Sequence, residues 1–125
     1  MRYLQSKKEQ RKELKKLFRE LILLKWGKKC LRCSKTFDLQ VAHIYPVGSV
    51  RKMEFDDDNA IPLCQACHLY FWHKNPVEAV EWIKTVLSKE TMTRLELRKG
   101  QSGEGSQDFK LIKLYLESEL KKYAE

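Results

Sequence analysis

The amino-terminal part of the chain has the hydrophobic pattern of an amphipathic helix. Apolar residues recur at spacings of three and four between residues 5 and 26, and Gly27 follows as a natural stop. The apolar positions are Leu14, Leu17, Phe18, Leu21, Ile22 and Leu24. The other face carries Lys8, Arg11, Lys12, Lys15, Lys16 and Arg19. The pattern therefore predicts one helix with an apolar face and a basic face.

The hydrophobic period changes after this helix. Residues 37–41 alternate between apolar and polar side chains, which predicts a short strand leading to His43. Residues 46–49 predict a turn. The apolar residues 61–63 lead to a segment that we expect to be helical from near Cys64. The predicted order is strand, loop, strand or turn, and helix.

The carboxy-terminal part predicts further helices. Asn75, Pro76 and Glu78 indicate a helix start with a capping box. Its expected buried stripe is Val77, Val80, Ile83 and Leu87. Residues 92–98 fit either a strand or a helical turn. The Gly/Ser-rich residues 99–106 predict a flexible linker before a last amphipathic helix, which must pack on the body or on a partner chain. The apolar stripe of that helix is Phe109, Ile112, Leu116, Leu120 and Tyr123.

Composition favours a single folded domain with helical extensions. The chain has 125 residues, of which 42% are hydrophobic and 34% charged. Its apolar runs are far shorter than the roughly 20 residues that cross a bilayer, and the amino terminus lacks a secretory pattern. We therefore expect a cytoplasmic protein with no membrane partner.

The net charge of +8 is concentrated in the first 35 residues, which hold 13 Lys or Arg against 3 Glu. Such a basic region favours binding to a polyanion, and nucleic acid is the leading candidate. A Lys-rich helix face is also typical of ordinary solvated surface. Charge alone leaves both interpretations open.

All four cysteines belong to two CxxC pairs, Cys30/Cys33 and Cys64/Cys67, with 30 residues between the pairs. In a cytosolic chain this spacing is typical of a tetrahedral zinc site. The gap is longer than in a zinc ribbon, so an insertion lies between the two knuckles. Disulfide bonds need an oxidising compartment, and a redox CxxC pair needs a βαβ context, and the sequence indicates neither. We expect structural zinc.

His43, Asn59 and His68 lie where the two knuckles would bring them together. One neutral imidazole can take a proton from water, and a second can bind a divalent cation beside a phosphate. An amide can orient the first imidazole or its loop. The set fits one-metal phosphodiester hydrolysis. Structural roles remain open, namely a strand histidine bonded to a backbone carbonyl and an asparagine that shapes a turn.

The runs CLRC, AHIYPVG and DDDNAIPLCQACHLYFWHKNP resemble the HNH endonucleases, specifically the cysteine-containing branch in which zinc braces a ββα-metal (His-Me finger) core. The likeness spans about residues 30–83 and is strongest to HNH proteins of bacteriophages, where a tail like HKNPVEAVEW follows the second knuckle. It implies an α+β fold. The ββα-metal core with its CxxC/CxxC knuckles would be flanked by an N-terminal basic helix and C-terminal helices.

The resemblance also implies roles for individual residues. His43 would be the general base, Asn59 the loop-holding amide, and His68 a ligand of a catalytic divalent ion, Mg or Mn with Zn or Ni as alternatives. Structural zinc would be held by Cys30, Cys33, Cys64 and Cys67. Many members have a metal-ligating Asp or His where this chain has Ala42. His73 is the best replacement, although five residues of α-helix would separate it from His68 by about 140°.

The expected function is metal-dependent hydrolysis of phosphodiester bonds in duplex or branched DNA, within a bacterial host cell if the protein is phage-encoded. The alternative is a catalytically impaired, zinc-stabilised nucleic-acid-binding module. RNA as substrate and a homodimer formed through the last helix stay open.

The predicted domains are a basic helix (1–27), the HNH core with its following helix (28–99), a flexible linker (100–107) and a C-terminal helix (108–125). The basic-face residues would contact nucleic acid.

Overall fold

A computed structural model describes residues 5–48, 50–101 and 108–124. Strands β1 and β2 span Leu39–His43 and Ala60–Cys64, and a π-helix spans Cys67–His73. Helices α1 to α4 span Lys7–Lys25, Pro76–Val86, Lys89–Gly100 and Phe109–Tyr123. This architecture confirms a mixed α+β fold. None of the helices described is long and apolar enough to cross a membrane.

Helix α1 confirms the predicted amphipathic helix, with slightly tighter limits. Ser6 caps it, because its Oγ accepts a hydrogen bond from the backbone N–H of Glu9 at 3.2 Å. The predicted apolar face is buried at Leu14, Leu21 and Ile22. These side chains pack against α4 and against the end of the acidic loop that precedes β2, so α1 belongs to a core cluster of the folded body.

The two strands form an antiparallel pair in which His43 lies opposite Ala60 and Leu39 opposite Cys64. Strand β1 begins at Leu39, later than predicted, because Asp38 adopts a left-handed backbone conformation with φ of 54°. The strand also extends further than predicted, so that His43 is its last residue. A two-stranded sheet is only marginally stable alone, so its surroundings must support it.

The turn between the π-helix and α2 differs from the prediction. The Asn75 side chain makes no capping bond to α2. Its Nδ2 instead donates to the carbonyl oxygen of Tyr70 at 3.0 Å. The predicted capping box is wrong, because this amide closes the end of the π-helix.

The buried face of α2 is also rotated from the predicted one. Val77 is 77% exposed and Val80 is 48% exposed, whereas Ala79 and Ile83 are buried. The cause is Trp82, whose ring packs edge-on against the ring of Phe71 on the π-helix, with the ring centroids 5.6 Å apart. This contact turns the Trp82 side of α2 inward. Only Ile83 and Leu87 of the predicted stripe are buried.

Helices α3 and α4 complete the body. The ambiguous residues 92–98 are helical, with the fully buried Leu95 as their anchor. Helix α3 extends to Gly100, so residues 99 and 100 of the predicted linker are helical, and residues 102–107 lie outside the described part of the chain. Helix α4 packs on α1 through the fully buried Leu116, so of the two predicted alternatives, the body or a partner chain, it packs on the body, whereas Tyr123 is 43% exposed.

An acidic turn before β2 ties three helices together. Asp58 accepts from Arg98 Nη2 at 2.5 Å, and it also pairs with Arg94 of α3 and Lys25 of α1. Asp57 accepts a hydrogen bond of 2.8 Å from the Tyr115 hydroxyl of α4. These aspartates thus serve as structural cross-links.

Asp58→Asn is expected to destabilise the fold by about 1–2 kcal/mol, since it weakens a partly buried ion-pair network. Burial opposes ionisation of Asp58, but Arg98 and Arg94 outweigh it and hold its pKa below the ordinary value. A lowered pKa contributes stability that is present at neutral pH and is lost as the pH falls through that lowered pKa. Urea unfolding of both proteins across acidic pH measures the difference. The exposed Asp38→Asn is the control, and an equal loss in both variants would contradict the network role.

Candidate metal centre and histidine site

The four cysteines converge on one point. Their Sγ atoms all lie within 4.8 Å of one another, and the Cys33 and Cys64 sulfurs, one from each knuckle, are 3.6 Å apart. Zinc–sulfur bonds of about 2.3 Å set tetrahedral sulfur–sulfur distances of about 3.8 Å. Three of the cysteines are buried and Cys33 is exposed. The cluster is therefore positioned to hold a metal ion such as zinc, as the spacing predicts.

The groups around the sulfurs favour thiolates, the form of cysteine that binds a metal ion. In each knuckle a backbone N–H points at the first sulfur, from Cys33 to Cys30 at 3.5 Å and from Cys67 to Cys64 at 3.4 Å. The Arg32 guanidinium lies 3.6 Å from the Cys67 sulfur. Burial opposes ionisation of Cys30, but backbone hydrogen bonds lower its pKa to about 7. Burial raises the pKa of Cys67 to about 12, so its thiolate needs a bound cation.

His43 lies on β1 with one ring nitrogen fixed. Its Nε2 is 2.9 Å from the carbonyl oxygen of Glu54. Because a carbonyl only accepts, Nε2 carries the hydrogen, so in the neutral ring Nδ1 has the lone pair. The ring also stacks on Phe18 of α1, with centroids 5.8 Å apart and planes at 11°. The carbonyl bond matches the structural role considered for His43, and it is equally the bond that prepares an imidazole to accept a proton at Nδ1.

Asn59 is fully buried and joins two loops. Its Oδ1 accepts from the backbone N–H of Tyr45 at 2.8 Å, and its Nδ2 donates to the carbonyls of Tyr45 and Met53, both at 3.1 Å. These bonds connect the chain just after His43 to the turn that leads to Glu54. Asn59 thereby holds the segment that supplies the carbonyl partner of His43.

His68 and His73 lie side by side on the π-helix, with their Nε2 atoms 3.0 Å apart. A π-helix bonds residues five apart, so it places these two side chains on one face. The expected separation of about 140° is wrong, because it assumed α-helical geometry. The distance suits a hydrogen bond, and it equally suits two adjacent ligands of an octahedral ion with metal–nitrogen bonds of about 2.1 Å.

His43 and His73 both lie within electrostatic range of His68. Burial lowers the pKa of His68, and the nearby His73 and His43 lower it further. A lowered pKa keeps the imidazole neutral near pH 7, which is the form that binds metal ions. Asp56, Asp57 and Asp58 pair with basic and hydroxyl groups of the helices.

Three partners in the site were not identified from the sequence. Gln40 Oε1 lies 2.7 Å from His68 Nδ1, the Glu54 carbonyl meets His43, and the Phe18 ring stacks on it. Period-two alternation does place Gln40 and Ala42 on one face of β1, but it carries no information on which helix covers that face. Ala42, at the position of the expected ligand, is fully buried and has no polar side-chain atom.

The basic face of α1 leads toward this site. Lys8, Lys12, Lys15 and Lys16 are exposed. Arg19 donates to the carbonyl of Leu39 at 3.1 Å, which brings the end of the basic face to the start of β1. Arg11 is partly buried and pairs with the buried Glu54 at 3.1 Å. Arg11 thus has an internal partner, whereas the four lysines face solvent.

Comparisons with protein-family models, with curated proteins and with solved structures found no match. A function for this chain must therefore be inferred from its own side chains and their geometry.

Proposed function

We propose that this protein is a metal-dependent DNA endonuclease of the HNH type. The observation that carries the proposal is the pair of facing Nε2 atoms on His68 and His73, which lies within electrostatic range of His43, whose own Nε2 is bonded to a carbonyl. Hydrolysis of a phosphodiester by a one-metal mechanism needs a proton acceptor and a divalent-ion site near each other. The four-cysteine cluster, filled by structural zinc, would hold the elements that bear these residues.

The order of the elements supports this proposal. The antiparallel pair β1 and β2 is followed directly by the π-helix, which corresponds to the strand, strand and helix of a ββα-metal core. The general base lies on the first strand and both candidate ion ligands lie on the helix. Cys64 ends β2 and Cys67 begins the π-helix, so a zinc ion would fix the joint between them.

In the proposed reaction, His43 acts as the general base. Its Nδ1 takes a proton from water while the water oxygen bonds to phosphorus and the bond from phosphorus to the 3′ oxygen breaks. The leaving oxygen gains a proton from solvent, and the products are a 5′ phosphate and a 3′ hydroxyl. The Glu54 carbonyl stabilises the imidazolium through Nε2, and Asn59 keeps that carbonyl in place.

His68 and His73 would hold the divalent cation, Mg²⁺ or Mn²⁺. When bound, the ion stabilises the negative charge that develops on the phosphate. Two imidazoles form a small ligand set, so water and phosphate oxygens would complete the coordination. Imidazole nitrogens are typical ligands of transition-metal ions such as Zn²⁺ or Ni²⁺, whereas Mg²⁺ prefers carboxylate and phosphate oxygens.

The exposed lysines of α1 would bind the phosphate backbone of DNA. Replacing Lys8, Lys12, Lys15 and Lys16 with glutamine preserves helix propensity but removes four exposed cations. If each contacts a phosphate, the slope of log affinity against log salt falls by up to about 3.6. Fluorescence anisotropy with a DNA duplex at several salt concentrations measures this slope.

The control for that experiment carries the same charge change elsewhere. It replaces Lys84, Lys89, Lys110 and Lys121, which are exposed on α2, α3 and α4. We expect this protein to keep most of the wild-type salt slope. Equal slopes for the two variants would show that α1 is not the site of phosphate contact.

A zinc-stabilised nucleic-acid-binding module without cleavage is the alternative, and the apolar Ala42 at an expected ligand position favours it. A plasmid-nicking assay with Mg²⁺ or Mn²⁺ separates the two functions. The proposed nuclease converts supercoiled plasmid to nicked or linear forms. The binding module retards the plasmid on a gel and leaves it intact.

A further inference from the structure

Gln40 makes a specific contact with the ring of His68. Its Oε1 lies 2.7 Å from Nδ1 of His68, whereas Nε2 of the same ring faces His73. Ala42, two residues along the same strand face, offers no polar group. Among the described residues of β1, Gln40 is therefore the one that bonds to the π-helix histidine pair.

We propose that Gln40 is a positioning residue for His68: its side-chain oxygen accepts the hydrogen on Nδ1 and so keeps the ring lone pair on Nε2. This inference rests on the proposed role of His68 as an ion ligand. A neutral imidazole carries one ring hydrogen, so the partner of one nitrogen determines the state of the other. Metal-binding histidines generally donate their second nitrogen to such an acceptor.

Gln40 acts through the ring and not as a replacement for the missing ligand at position 42. It contacts Nδ1, while the nitrogen that would bind the ion is Nε2. The opposite orientation of the amide would make Gln40 a donor and force the hydrogen onto Nε2. In that state His68 could not bind a cation through Nε2. The direction of one hydrogen bond thus decides whether the pair of histidines can form a metal site.

The tautomer of His68 tests the proposal directly. In the full zinc-loaded chain with the ring neutral and no added Mn²⁺, ¹⁵N NMR distinguishes a hydrogen on Nδ1 from one on Nε2. We expect the Nδ1–H form in the wild type and in Gln40→Glu, which keeps an oxygen acceptor. Gln40→Met keeps the side-chain length without the acceptor and should shift the population toward Nε2–H. An Nε2–H ring in the wild type, or no change in Gln40→Met, would overturn the proposal.

Mn²⁺ affinity gives a second readout. Titration calorimetry should show binding about tenfold weaker for Gln40→Met and at least as tight as wild type for Gln40→Glu. Gln101→Met, at the exposed end of α3, is the matched control and should bind as the wild type does. If the wild type binds Mn²⁺, an equal affinity of Gln40→Met would contradict the positioning role.

These measurements separate failure of this inference from failure of the nuclease proposal. If wild-type His68 has the Nδ1–H tautomer and Gln40→Met loses it, Gln40 sets the ring even when the protein binds no Mn²⁺ or cleaves no DNA. In that case the proposed ion site, and not the role of Gln40, is wrong. Retention of one zinc per chain in every variant verifies that the fold is intact.

Discussion

The His43→Ala protein is expected to cleave plasmid DNA about 10²–10⁴-fold more slowly than the wild type in Mg²⁺ or Mn²⁺, which is the usual contribution of a general base. The Glu54 carbonyl binds Nε2 at 2.9 Å and leaves Nδ1 as the proton acceptor. Alanine removes that acceptor while leaving the histidine pair on the π-helix. Single-turnover nicking rates at saturating enzyme measure the chemical step apart from DNA binding.

Val41→Ala is the matched control for this experiment. Val41 lies two residues before His43 on the same face of β1 and is also partly buried, but it has no acid–base group. It should lose some stability and keep a nicking rate close to that of the wild type. If His43→Ala loses stability yet nicks as fast as Val41→Ala, His43 has only the structural role of a strand histidine.

Removal of zinc is expected to unfold the sheet region cooperatively. Structural zinc contributes about 10–16 kcal/mol in small domains, which exceeds or matches the whole stability of most proteins of this size. Here the cluster joins the first knuckle to the end of β2 and the start of the π-helix, next to a sheet of only two strands. Circular dichroism during titration with a strong chelator, with zinc released measured by a colorimetric dye, tests this expectation.

Two variants sharpen the zinc experiment. Cys30→Ser with Cys64→Ser removes one buried ligand from each knuckle and should abolish the cooperative transition. His68→Ala with His73→Ala removes the histidine pair, and this protein should still hold one zinc per chain. A reduced, metal-free wild type with the same unfolding midpoint as the zinc-loaded protein would show that the four sulfurs need no ion.

The sequence predicted the elements whose signal is local. The three- and four-residue spacing around Leu14 and Leu21 is sufficient for α1, since one apolar face must be buried. The two CxxC pairs likewise predicted the sulfur cluster, because two thiols in a tight turn reach one point and two such turns can share an ion. Neither prediction needs knowledge of the rest of the fold.

Features that depend on tertiary contacts were missed. The stripe of α2 was placed too far toward Val77 and Val80 because Trp82 was not known to pack on Phe71. Asn75 has the residue type and position of a helix cap, yet the carbonyl of Tyr70 competes for its side chain. In both cases a contact with a neighbouring element selected one of two locally allowed arrangements.

The sequence named the residues of the candidate site but not the geometry of its histidine pair. The structure pairs His68 with His73, and the catalytic roles of His43, Asn59 and His68 stay predictions. The π-helix that aligns His68 with His73 has no known local sequence signal, so an α-helical assumption gave the wrong angle. The contact from Gln40 depends on which strand face meets the π-helix, and strand alternation alone does not decide that.

A crystal structure of the zinc-loaded protein with Mn²⁺ and a DNA duplex, with anomalous scattering used to locate manganese, tests the central claim most directly. We expect an anomalous peak about 2.1 Å from the Nε2 atoms of both His68 and His73. A backbone phosphate should touch that ion, with Nδ1 of His43 directed at its phosphorus through a water molecule. Manganese bound elsewhere, or DNA phosphates lying away from all three histidines, would contradict the proposed nuclease site.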